Sequence, residues 1–287
     1  MNLNARQIAG TALILGAITL VFWQVFVRLV DAWTNDGNYS HGFLILPIAL
    51  YFVWERRDRL ANAPIAPSWF GLVLLAGGIA LLLTGLWGSE LFLSRVALLP
   101  VTAGIVLFLF GWAHFKILAF PIAFLFLMIP IPNIIFNQIA FPLQLFASRL
   151  GEWAIAAAGI PVVREGNVLE LAHTKLEVAE ACSGIRSLVS LITLGIVYGY
   201  FMDSRTWVRL VIVASAIPVA IVANGARVAG TGMSAQWFGE EAAKGFFHEF
   251  SGWIVFLFAF AMILVIQRVV ARVAPKPMTD APAGAGV

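Results

Sequence analysis

An all-α polytopic membrane protein with about eight transmembrane helices is the fold class this sequence predicts, on three observations. Hydrophobic residues make up 61% of the chain and charged residues 11%, where a soluble domain carries about 25% charged residues. Mean hydropathy is +0.92. The apolar residues gather in stretches near or somewhat below the roughly 20 residues that cross a bilayer. They fall at 8–30, 42–54, 69–87, 91–112, 117–131, 184–202, 208–228 and 252–270. No long polar block interrupts them, so residues 1–273 read as one transmembrane domain. The Pro/Ala/Gly-rich end, 274–287, reads as a disordered tail.

The first stretch follows Arg6 and has no small-residue cleavage site before Arg28, which predicts a retained helix rather than a removed signal peptide. The second is short, with Ser40, His41 and Glu55 at its ends, and a short span is accommodated by tilt or local thinning of the bilayer. Orientation comes from the basic loops. Arg56, Arg57 and Arg59, the 204–209 loop and the tail with Arg268, Arg272 and Lys276 carry most of the positive charge. The positive-inside rule places them, and both termini, in the cytoplasm. The segment 134–160 is apolar enough to cross, yet carries Asn137, Gln138, Gln144, Arg149 and Glu152. A crossing there would send the basic 204–209 loop outside, so parity predicts an interfacial or re-entrant segment. A ninth span that breaks the charge rule is the alternative. Residues 161–180 then alternate apolar and polar around Glu165-Gly-Asn, which predicts an extracytoplasmic strand or hairpin.

That topology places the costly polar residues. Cys182, the single cysteine, stands at the outer end of the sixth stretch, before an apolar helix whose N-terminal potential favours thiolate. Asn224 and Arg227 stand at the outer end of the seventh, and His248 just before the eighth. A lone cysteine in an apolar protein is most often a small buried hydrophobe, and an arginine at a span's end snorkels to the headgroups. Taken together, a thiol, an imidazole and a guanidinium at one depth form a nucleophile, a proton carrier and an oxyanion partner. Arg186 lies one turn beyond the thiol, and Ser183 is an alternative nucleophile without an obvious base. Tyr39-Ser-His41-Gly, on the same side, is read as binding a polar substrate group or capping its helix. One cysteine excludes an internal disulfide. His41, His114, His173 and His248 lack ligand spacing, so no metal is expected. No phosphate-binding loop is present, no cofactor is expected, and the net charge of +3 is too scattered for nucleic acid.

Five stretches resemble the exosortase/archaeosortase family of membrane cysteine transpeptidases. They are Tyr-Ser-His-Gly-Phe at 39–43, Phe-Pro and Ile-Pro-Ile-Pro within 120–132, Glu-Ala-Cys-Ser-Gly-Ile-Arg-Ser at 180–187, Asn-Gly-Ala-Arg-Val at 224–228 and His-Glu-Phe-Ser-Gly-Trp at 248–253. The resemblance implies Cys182, Arg227 and His248 as the catalytic set. Arg186, Asn224, His41, Ser183 and Glu180 are then candidates for contacting the substrate or supporting that set. It implies exported substrates with a C-terminal PEP-CTERM signal: a Pro-Glu-Pro motif, one transmembrane helix and a basic cluster. Arg186, Arg149 or Arg164 would pair the substrate glutamate. It also implies the bacterial inner membrane, with membrane lipids around the chain, a periplasm-facing site, and an acceptor nucleophile that the sequence does not identify. The competing reading is an exopolysaccharide polymerase, ligase or transporter that does not use the cysteine.

Overall fold

A computed structural model describes residues 5–172, 174–178, 184–203, 205–239 and 246–273, with 5–9, 11, 12, 15 and 246–251 described by backbone alone. The expectations for Glu180, Cys182, Ser183 and the 274–287 tail lie outside the described residues. The chain is an all-α polytopic membrane protein that forms two compact units, Met1–Asn133 and Ile134–Val287.

The first unit holds α1 (Ala5–Val21), α2 (Trp23–Asn35), α3 (Gly42–Glu55), α4 (Arg57–Asn62), α5 (Phe70–Trp87), α6 (Leu91–Val96), α7 (Leu98–Leu109), α8 (Trp112–Phe124) and a 3-10 turn, Leu125–Met128. Helices α5 and α7 pack backbone against backbone. A Cβ on Gly104 would lie 2.6 Å from the Leu75 nitrogen, so only glycine admits that approach.

The second unit begins with α9 (Asn133–Ala157), followed by β1 (Val162–Glu165), β2 (Val168–Leu171) and β3 (Lys175–Glu177). The expected hairpin is a three-stranded antiparallel sheet in the order β1-β2-β3, with Val162 opposite Leu171 and Val168 opposite Glu177. Its inner residues Leu169 and Leu171, with Val178 beyond β3, pack on Ala147 and Ile155 of α9 and on Val228 and Ala229. The bundle is completed by α10 (Ile185–Met202), α11 (Thr206–Phe238) and α12 (Phe246–Val273). Val208, Ile212, Ala216, Val219, Ala220 and Ala223 of α11 form a core with Leu191 of α10 and Ala259 and Ile263 of α12. Their spacing of three and four is one face of a helix.

Among the described residues, five helical stretches are long and apolar enough to cross a membrane. They are Phe70–Trp87, Leu91–Leu109, Ile185–Met202, Thr206–Phe238 and Gly252–Val273. A sixth is counted if Trp112–Met128 and Asn133–Ala157 form one broken span. The count of eight is therefore not reached by length and composition. The expected first span is interrupted at Phe22, between α1 and α2. Helix α3 has 14 residues, or about 21 Å at 1.5 Å per residue, short of a bilayer's hydrocarbon core.

The expected seventh span is also revised. Helix α11 continues past Val228 to Phe238 as an unbroken helix. Gly232 does not end it, and a Cβ there would stand 2.6 Å from Ile155 Cδ1 of α9.

Candidate active site

The turn into α10 is built on Gly184, whose φ of +82° is left-handed. Glycine adopts that conformation without the Cβ penalty of other residues. Space gives a second reason. An added Cβ would stand 2.9 Å from Asn224 Cγ and 3.0 Å from its Cβ and Nδ2. Asn224 is 4% exposed, so its side chain has little room to retreat. Cys182 precedes Gly184 by two residues. Chain length alone keeps it within about 7 Å of that glycine's Cα.

Asn224 and Arg227 are three residues apart on α11 and so share a face. The Arg227 guanidinium faces Gly252: Cζ and Nη2 are 3.6 Å, and Nη1 3.9 Å, from where a Cβ on Gly252 would stand. Gly252 is one turn beyond position 248 on α12, and positions four apart lie on one helix face. Position 248 is inside the first turn of α12, rather than just ahead of a helix as the sequence predicts. Gly184, two residues past the cysteine, thus approaches Asn224, and Arg227 on the same face of α11 faces Gly252, one turn past the histidine position.

The other expected residues divide. Arg186 is exposed in the first turn of α10, and Arg149 is exposed on α9. Arg164 is already engaged: its Nε donates to Glu152 Oε2 at 2.8 Å and its Nη1 to the Gly166 carbonyl at 2.9 Å. His41 belongs to the first unit, with its Nε2 3.1 Å from the Leu127 carbonyl. Burial lowers its pKa, opposed by the Leu127 and Asn38 carbonyls it faces. A carbonyl only accepts, so the neutral ring donates from Nε2. Pro130 explains the arrangement, since it has no N–H to close the 3-10 turn onto Leu127. Trp33 serves the same turn, its Nε1 donating to the Met128 carbonyl at 2.9 Å.

Gln144, read in sequence only as a polar residue of 134–160, is buried. Gln144 of α9 donates from Nε2 to the Val178 carbonyl. The available signal was a long polar side chain in register with Phe136, Ala140, Ala147, Gly151 and Ile155 on the buried face of its helix.

The fold is that of a polytopic membrane protein in which Asn224 and Arg227 of α11 face the N-terminal ends of α10 and α12. A family model, transmembrane exosortase, matches residues 33–265. The chain belongs to the transmembrane exosortase family. No curated protein and no solved structure gives a significant match.

The two glycines that face Asn224 and Arg227 respond differently to a methyl group. Gly184→Ala is expected to lower stability by about 1–3 kcal/mol, from the left-handed backbone and the collision with Asn224. Gly252→Ala places its Cβ at ordinary contact with Arg227 and removes a helix glycine, so it should be neutral or stabilising by up to about 1 kcal/mol. Thermal unfolding of both variants in detergent checks this; equal destabilisation would contradict it.

Proposed function

We propose that this exosortase cleaves exported proteins that carry a C-terminal PEP-CTERM signal and transfers them to an acceptor, using Cys182, His248 and Arg227. The observation that carries the reading is the approach of Gly184 to Asn224 and of Arg227 to Gly252, because it draws together the three segments that hold these residues. The sulfur of Cys182 bonds to the scissile carbonyl carbon while its proton passes to His248. Charge developing on the carbonyl oxygen is held by the Arg227 guanidinium. Collapse breaks the C–N bond, His248 returns the proton to the leaving amine, and an acyl-thioester remains. A second nucleophile then takes the acyl group and restores the thiol.

The site faces the periplasm from the bacterial inner membrane. Gly184 begins α10, and Asp203, Arg205 and Arg209 gather at its other end. There Arg205 donates to both Asp203 carboxylate oxygens, from Nε at 2.9 Å and Nη2 at 2.6 Å. Arg209 Nε donates to the Asp203 carbonyl at 2.6 Å. The Arg205 hydrogen bonds hold the Asp203 carboxyl below its ordinary pKa. The 18 residues of α10 separate the two ends by about 27 Å. A basic loop in the cytoplasm therefore supports an outer position for the thiol.

Co-expression with an exported reporter carrying a PEP-CTERM tail, followed by intact-mass measurement, tests the reading. A reporter shortened by the tail is expected. An added mass on its new C-terminus identifies the acceptor, and a free carboxylate identifies water as the acceptor. A reporter of full length would overturn the proposal.

A further inference from the structure

We propose that Gln144 is a positioning residue for this reaction, holding the Val178 end of the short segment that carries Cys182. The inference rests on the reading of Cys182 as the nucleophile. Five residues, 179–183, separate Val178 from Gly184. The Gly184 end is set by its left-handed backbone and by Asn224.

The Val178 end is held from two directions. Its N–H donates to the Asn167 carbonyl at 2.9 Å, and its carbonyl accepts from Asn167 Nδ2 at 3.3 Å. The same carbonyl accepts from Gln144 Nε2, reaching across 34 residues of sequence. Val178 is 2% exposed and Gln144 8%.

This second donor is not needed to satisfy the carbonyl, which already has Asn167. Desolvating an amide on the apolar face of α9 is costly unless its hydrogen bond is made. An aliphatic residue would serve packing alone, as its neighbours on that face do. What Gln144 adds is a fixed distance between the cysteine segment and α9.

That distance bears on the rest of the site, because α9 is also registered against α11 beside Asn224 and Arg227. A Cβ on Gly151 would lie 2.5 Å from Val228 Cγ1, and one on Gly225 would lie 2.7 Å from Leu150 Cβ. Both ends of the cysteine segment are therefore referred to the helix that carries the guanidinium. Asn224 holds one end directly, and Gln144 holds the other through α9. A reacting atom misplaced by about 1 Å costs on the order of 10²-fold in rate, so this anchorage acts on turnover rather than on substrate affinity.

The test uses the full chain in proteoliposomes with a PEP-CTERM substrate, and Cys182→Ala as the inactive control. Gln144→Leu keeps an apolar helix face and removes the donor. It is expected to lower kcat by about 10-fold or more with KM and melting temperature little changed. Wild-type kcat in Gln144→Leu would overturn the proposal, as would a fall in kcat no larger than the fall in folded protein. If that variant fails to fold, Gln144→Glu decides. Its ionised carboxylate cannot donate to Val178, whereas the protonated form can. Its kcat relative to wild type should therefore rise as pH falls toward the carboxyl range, and a ratio independent of pH would overturn the proposal. Full activity in Cys182→Ala would overturn this inference together with the nucleophile assignment, and it is distinguishable because it needs no change at Gln144.

Discussion

Cys182→Ala is expected to abolish processing of a co-expressed PEP-CTERM protein, by at least about 10³-fold in single-turnover rate, while the protein still inserts in the membrane. The effect would report chemistry. With one cysteine in the chain, no internal disulfide is lost. Cys182→Ser is the more searching variant, because it keeps shape and a weaker nucleophile. Processing at the wild-type rate by either variant would remove the cysteine from the mechanism and favour an enzyme that handles glycan or lipid-linked sugar. Cys182 alkylation rate against pH separates two forms of the mechanism. A midpoint below the free-thiol value near 8.5 indicates a standing thiolate, and one at or above it indicates that His248 removes the proton during attack.

Arg227→Ala should cost about 10²–10³-fold in the rate of acyl-enzyme formation, the loss measured when one oxyanion donor is removed elsewhere. Arg227→Lys is informative because it keeps the charge and loses the planar fork. The guanidinium faces Gly252, with Cζ and both terminal nitrogens 3.6 to 3.9 Å from where a Cβ on that residue would stand. A flexible ammonium has no such seat, so most of the alanine defect is expected to persist in lysine. Recovery by lysine to near the wild-type rate would leave a bare positive charge, with no role for the fork.

The elements most legible in sequence were those with clear punctuation. The reading 184–202 for α10 agrees with Ile185–Met202 within a residue, because an apolar run is bounded there by Gly184 and Asp203. The extension of α11 was hidden. Arg227 stood at the expected outer end of the span, yet Val228, Ala229 and Gly232 pack on the sheet and α9. The interruption at Phe22 has no local signature, since neither proline nor glycine stands there. At the candidate site, motifs drew attention to Cys182, Asn224, Arg227 and His248, but not to Gln144. A buried glutamine is recognisable as an anchor only when its acceptor is known, and Val178 lies 34 residues away. His41 shows the converse: a motif suited to binding substrate has its ring committed to a carbonyl that a proline left open.

The unbroken course of α11 makes it a gauge. Its 33 residues measure about 50 Å, whereas a bilayer's hydrocarbon core is about 30 Å thick. Counted from Thr206 beside the basic loop, Asn224 and Arg227 lie about 27 and 32 Å along, close to that thickness. The remaining turns exceed that length, and Val228 and Ala229 pack against the sheet. On the proposed topology, lipid thickness becomes a dimension of the site: a thicker bilayer would draw the guanidinium into hydrocarbon, and a thinner one would lift it into headgroups and water.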